Sequence, residues 1–169
     1  MTQDGVKALL TELRDVFEKW NAALDAFGEE EINRVPFEGS WTPGQVAEHI
    51  IKSVSALPDR HTEATQRPYD EYVTPIAEIF LNFSIKLQSP DFVLPGPGPQ
   101  DKKELQKTFE GIQGRHENAV RTTDLTATCL DFELPTIGLL TRYEWIKFYL
   151  VHMQRHTWQL SKIRESMRG

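Results

Sequence analysis

A single cysteine, Cys129, stands among the 169 residues. That excludes an intrachain disulfide and any zinc cluster built from cysteines. Dense basic runs are also missing: 19 Lys and Arg face 25 Asp and Glu, for a formal net charge of −6. Nucleic-acid-binding modules carry a basic footprint, so this balance argues against a nucleic-acid partner. No uncharged apolar stretch approaches the ~18 residues of a membrane-spanning helix. The opening MTQDGVKALLTELRD has neither the basic nor the apolar region of a secretory leader. No repeat of solenoid period is visible, and FVLP and FELP are too short to make a convincing strand pair. The expectation is one soluble, cytoplasmic domain spanning residues 1–169, with a small molecule as its partner rather than nucleic acid or membrane.

Hydrophobic residues make up 39% and charged residues 26%, enough for a core and too little bias for a disordered chain. Helical periodicity dominates. Val6, Leu9, Leu10, Leu13, Val16, Phe17, Trp20, Leu24 and Phe27 form one stripe over residues 3–27, and Gly28 is a natural stop. At ~1.5 Å per residue that helix is roughly 35 Å long, a length that buries its stripe best in a bundle. A connection follows over residues 28–41. Thr42 then reads as an N-cap, with Pro43 at the first helical position and Gln45 completing a capping box. The second helix carries Val46, Ile50, Val54 and Leu57 and is expected to end near Pro58.

Thr74-Pro75 starts a shorter helix bearing Ile76, Ile79, Phe80, Phe83 and Leu87. The segment QSPDFVLPGPGPQ, 88–100, has four prolines and two glycines. It reads as an extended, locally mobile loop outside the core. Asp101 with Glu104 caps the next helix, whose stripe is Leu105, Phe109, Ile112, Ala119 and Val120. Residues 123–137 look irregular. Thr141 and Glu144 form a second capping box, opening a last helix that runs to about Met167 with Trp145, Tyr149, Leu160 and Ile163 inward. The fold class is all-α, with four main helices and a fifth, shorter one.

Histidine carries the chemistry. His152 and His156 lie four apart, so they share one helical face with Cβ atoms ~5–6 Å apart. Both interrupt the inward stripe, and His49 does the same on the second helix, between Val46 and Ser53. Two readings stand open. A histidine on an apolar stripe is most often a hydrogen-bonded core residue. Three of them on facing stripes could instead share one divalent ion, which satisfies three buried imidazoles at once. Zinc, nickel or another first-row ion accepts a three-histidine set with positions left for water. His116, four after Ile112, is a candidate extra ligand whose facing is blurred by Gly111 and Gly114. His61 reads as an exposed loop residue.

Among the other candidates, Cys129 has no base near it in sequence and reads as a semi-buried thiol. Glu48 points about 100° away from His49 on the helix and reads as a solvated carboxylate. Gln159, three after His156, is placed to orient it from behind. Arg155 is expected on the rim. Trp41, Trp145, Tyr149 and Trp158 serve either the core or the wall of a binding cleft, with Trp41 and Tyr149 the candidates beside the metal.

The stretch Trp41-Thr42-Pro43-Gly44-Gln45-Val46-Ala47-Glu48-His49-Ile50 resembles the first signature of the DinB-like superfamily. There an aromatic residue and a helix start precede a histidine by about two turns. Pro135-Thr136-Ile137-Gly138, then Thr141, Glu144-Trp145 and His152-Met153-Gln154-Arg155-His156-Thr157-Trp158-Gln159-Leu160 are similar to the second signature. The resemblance implies an up-down-down-up four-helix bundle, often a homodimer, with metal ligands at His49, His152 and His156. His116 and His61 have no counterpart in it. It further implies a metal-dependent transferase that uses a low-molecular-weight thiol such as bacillithiol or mycothiol. Metal-assisted hydrolysis is the alternative enzyme reading, and a non-catalytic metal-binding or interaction bundle is the alternative of another class. A closed site with four protein ligands would favour the last; an open position under a cleft would favour an enzyme.

Overall fold

The computed structural model describes residues 1–168. Five helices carry the fold: α1 (Gln3–Asp25), α2 (Pro43–Val54), α3 (Val73–Phe80), α4 (Lys102–Thr122) and α5 (Arg142–Arg168). The four longer ones form the bundle. α1 packs on α4 and α5, and α2 packs on the same two, so α1 and α2 occupy opposite corners; the short α3 lies on α5. The core follows the stripes, with Leu13, Phe17, Trp20, Val46, Ile50, Phe109, Ile112 and Leu160 buried between the helices. Trp20 meets Phe109 at 5.0 Å between ring centroids. Truncating a buried aromatic of this kind to Ala costs about 3–5 kcal/mol. No helix among the described residues is long and apolar enough to cross a membrane.

The caps form as the residue types require. The Gln45 backbone N–H donates to Thr42 Oγ1 at 3.1 Å, and Gln45 Oε1 accepts from the Thr42 N–H at 3.0 Å. The Glu144 N–H likewise donates to Thr141 Oγ1 and its carboxylate accepts from the Thr141 N–H. Gly44 is required at the start of α2 for space: a Cβ there would stand 2.8 Å from Gln100 Cβ and 3.0 Å from the Ile32 carbonyl.

Four boundaries differ from expectation, each for a local reason. α2 ends at Val54, a turn before Pro58. Pro58 has no N–H for the Val54 carbonyl, and the His116 ring nitrogen Nε2 takes that acceptor instead, at 2.6 Å. α3 begins at Val73 and stops at Phe80, leaving Phe83 and Leu87 beyond its end. Its Tyr72 N–H is held by the Glu144 carboxylate, and Arg155 captures the Phe80 carbonyl. A two-residue antiparallel pair, β1 (Thr62–Glu63) with β2 (Thr128–Cys129), lies where no strand pairing was expected. Finally, the segment 88–100 is tied to α2 rather than set apart from the core. It contains a 3-10 turn at Asp91–Val93, and Val93 is buried. Glu48 accepts from the Gly96 N–H and Gln100 Nε2, Gln45 Nε2 donates to the Gly96 carbonyl, and Lys52 Nζ donates to Leu94. Prolines forbid helix there, but they leave carbonyls free for the polar face of α2 to bind.

Candidate metal centre

His49 sits two turns inside α2, where the Thr42 cap sets its phase, and His152 and His156 stack on consecutive turns of α5. The α2–α5 packing brings the three together. One ring nitrogen from each lies within 4.8 Å of the other two. His49 Nε2 stands 3.0 Å from His152 Nε2. His49 meets the rings of His152 and His156 at centroid distances of 5.1 and 4.7 Å.

Partners behind the rings set which nitrogens face inward. The Val93 carbonyl lies 2.9 Å from His49 Nδ1, so that nitrogen is the donor and Nε2 keeps its lone pair. Gln159 Oε1 lies 2.6 Å from His156 Nδ1 and leaves Nε2 as the free acceptor in the same way. His152 has no such partner: its Nδ1 is buried without a hydrogen bond. Burial disfavours the charged form of all three. It is the main cause holding His49 and His152 below the ordinary imidazole value, and it brings His156 down to about 3, with the neighbouring His49 adding to the effect. At neutral pH the trio is therefore three uncharged imidazoles, the state in which histidine binds metal, with Nε2 of His49 and of His156 left as acceptors.

These residues fit a divalent ion. Nitrogens sharing one zinc ion at ~2.0–2.1 Å stand about 3.3 Å apart in a tetrahedron. The His49–His152 spacing of 3.0 Å is close to that, and no ligand nitrogen of the trio is more than 4.8 Å from another. The carbonyl behind His49 and the amide behind His156 are the supports that orient metal-binding imidazoles. No fourth His, Cys, Asp or Glu joins the trio among the described residues.

The open side faces a cleft of about 520 Å³, whose lining includes all three histidines. Its walls are aromatic. Phe80 and Phe148 lie 5.6 and 5.3 Å from the His152 ring, and Phe92 meets Phe132 edge-on at 5.7 Å. Thr136, on the lining, takes a left-handed φ of 69°, rare for a β-branched residue, at the tip of the turn closed by Leu134 and Gly138.

The other candidates lie as follows. Trp41 lies beside His49, with ring centroids 5.1 Å apart and the planes tilted by 46°. Tyr149 lines the cleft, but its hydroxyl donates to the Ala56 carbonyl at 2.7 Å and its ring faces His116. His116 is buried away from the trio, on the Val54 carbonyl. His61 is exposed and paired with Asp131 at 2.6 Å. Cys129 is fully buried rather than half-buried, and burial pushes its thiol up to about 12. Glu48 is engaged by Lys52, Gly96 and Gln100 rather than solvated. Arg155 donates to the carbonyl of Phe80, the last residue of α3, and to those of Asn82 and Ile85 just beyond it. Sequence reasoning missed the Val93 carbonyl, because a backbone acceptor in a proline-rich loop leaves no residue-type signal. It also missed Phe80 and Phe148 as cleft walls.

A family model described as the DinB superfamily matches residues 7–160 of the chain. Among solved structures, YfiT from Bacillus subtilis, described as a probable metal-dependent hydrolase with an unusual four-helix bundle topology, is similar with a TM-score of 0.56. Its sequence identity is 14%, and the match covers 99% of this chain and 90% of that one. At that identity the likeness speaks for the fold. No curated protein matches the chain.

Proposed function

This chain belongs to the DinB superfamily, and from that premise we propose that it is a metal-dependent hydrolase of a small substrate, with His49, His152 and His156 as ligands of one divalent ion. Zinc and nickel suit the three neutral imidazoles best. The observation that carries the reading is that the face of the trio left without a protein ligand lines an apolar cleft. A structural site would be closed by a fourth ligand; an open one leaves room for water and substrate. When bound, such an ion supplies Lewis acidity and lowers the pKa of water toward 7.

The chain's own residues do the rest. Val93 and Gln159 hold His49 and His156 in the tautomer that presents Nε2 inward. Phe80, Phe148 and Trp145 exclude bulk water from the substrate's flank. No Asp or Glu lines the cleft among the described residues, so no carboxylate base competes for the role of generating the nucleophile. YfiT, itself described as a probable metal-dependent hydrolase, favours water over a thiol as that nucleophile. The test is a panel of small esters and amides offered to zinc- and nickel-loaded protein. Turnover that disappears with chelator and returns with metal is the expected result. Turnover only in the presence of a low-molecular-weight thiol would replace hydrolysis by thiol transfer.

A further inference from the structure

The cleft beside the trio carries one charge that no carboxylate among the described residues offsets. Two cations reach its lining, Lys52 and Arg155. Lys52 is already matched, with Nζ 2.9 Å from the Glu48 carboxylate. Arg155 has no carboxylate partner among the described residues. Its guanidinium donates only to neutral acceptors, the carbonyls of Phe80 at 3.1 Å, Asn82 at 3.0 Å and Ile85 at 2.5 Å. Those bonds hold the group in place, employ three of its five N–H donors and leave its charge without a counter-ion. The result is a fixed, half-buried cation one residue before His156, in a cleft whose other walls are mostly apolar.

We infer that the cleft takes a small monoanion with an apolar body: a carboxylate seated against Arg155, and an aromatic or branched aliphatic body against Phe80, Phe148 and Trp145. The inference rests on the proposed reading of this cleft as the substrate site and adds the substrate class. Among the described residues, Arg155 is the one uncompensated positive charge that the lining's own side chains offer, and a carboxylate pairs with it. The apolar part of the wall disfavours a body rich in hydroxyls, whose polar groups would be buried unpaired. Because Arg155 and His156 line the same cleft, a head group held by the first keeps the rest of the molecule within the space that the second borders.

A bound metal could also attract a carboxylate, so the test uses chelator-treated protein. Isothermal titration with 4-phenylbutyrate and with 4-phenylbutanamide compares one body with and without the charge. The acid should bind about tenfold or more tighter than the amide. Arg155→Met should bring the two close to parity, and Arg155→Lys should keep part of the preference. Since Arg155 also secures the chain after α3, circular dichroism and melting establish that each variant folds; the acid–amide pair in the unsubstituted protein stands without them. Equal binding of acid and amide, no binding of either at millimolar concentration, or a preference unchanged in folded Arg155→Met would overturn the inference. Uptake of zinc or nickel, measured on the same preparation, separates the two claims. An acid preference without uptake of either metal supports this inference and removes the hydrolase reading; metal uptake without an acid preference does the reverse.

Discussion

His116 and His152 are both buried histidines on inward helical stripes, and their surroundings differ in kind. The His116 ring spends its Nε2 proton on the Val54 carbonyl, the acceptor that Pro58 cannot serve, and stands beside Tyr149 in closed packing. His152 faces the lone pair of His49 across 3.0 Å, with its other nitrogen unpartnered, on the lining of a cleft. Burial depresses the charged form of both. The first ring completes a helix end and is satisfied by it. The second keeps one ring nitrogen unpartnered on the lining of a cleft. Burial on an apolar stripe thus marks a histidine for attention, and the partner of each ring nitrogen decides what it is for.

Substitutions at the two places should separate them sharply. Ala at His49, His152 or His156 should weaken metal binding by more than ~100-fold, since loss of a supporting partner alone costs 10–100-fold; equilibrium dialysis with zinc measures it. Gln159→Leu tests the support itself. It should lower zinc affinity by about 10–100-fold while leaving the melting temperature of the metal-free protein nearly unchanged. His116→Ala should behave oppositely, keeping the metal and losing about 1–3 kcal/mol of stability in urea unfolding, because the Val54 carbonyl is left buried and unpaired.

The metal-free protein should also respond to pH through the buried imidazoles. Their folded-state pKa values lie below the unfolded value, about 3 for His156. Between about pH 6.5 and 3 the unfolded chain therefore binds more protons than the folded one, and stability falls as pH falls through that window. Urea midpoints across this range should drop more steeply for the unsubstituted protein than for a variant with Gln at His49, His152 and His156. The smallest effect belongs to the cap that phases His49: Thr42→Ala should cost about 1 kcal/mol of stability with zinc stoichiometry retained.

Much of this arrangement is legible in the sequence where the signal is local. The stripes of α1, α4 and α5 and the boxes at Thr42 and Thr141 depend on neighbours within four residues, and they form as read. The spacing of His152 and His156, and Gln159 behind His156, belong to one helix and come out the same way. What was not legible depends on distant partners. Glu144 caps its own helix as expected, yet it is also fully buried and bonded to Arg67, 77 residues away in sequence. The end of α2 is set by His116 on another helix. The prolines of segment 88–100 forbid an α-helix, and the segment holds only the 3-10 turn at Asp91–Val93. Its burial of Val93, and the Val93 carbonyl that orients His49, depend on the polar face of α2.

The central claim is that three histidines, and not the fourth buried one, hold one ion. Metal content per chain, measured by inductively coupled plasma mass spectrometry after zinc loading and gel filtration, tests it directly across the unsubstituted protein and single Ala variants at His49, His152, His156 and His116. The account predicts one zinc per chain in the unsubstituted protein and in His116→Ala, and little or none in the other three. Full zinc occupancy in all of the trio variants, or its loss in His116→Ala with the fold intact, would contradict it.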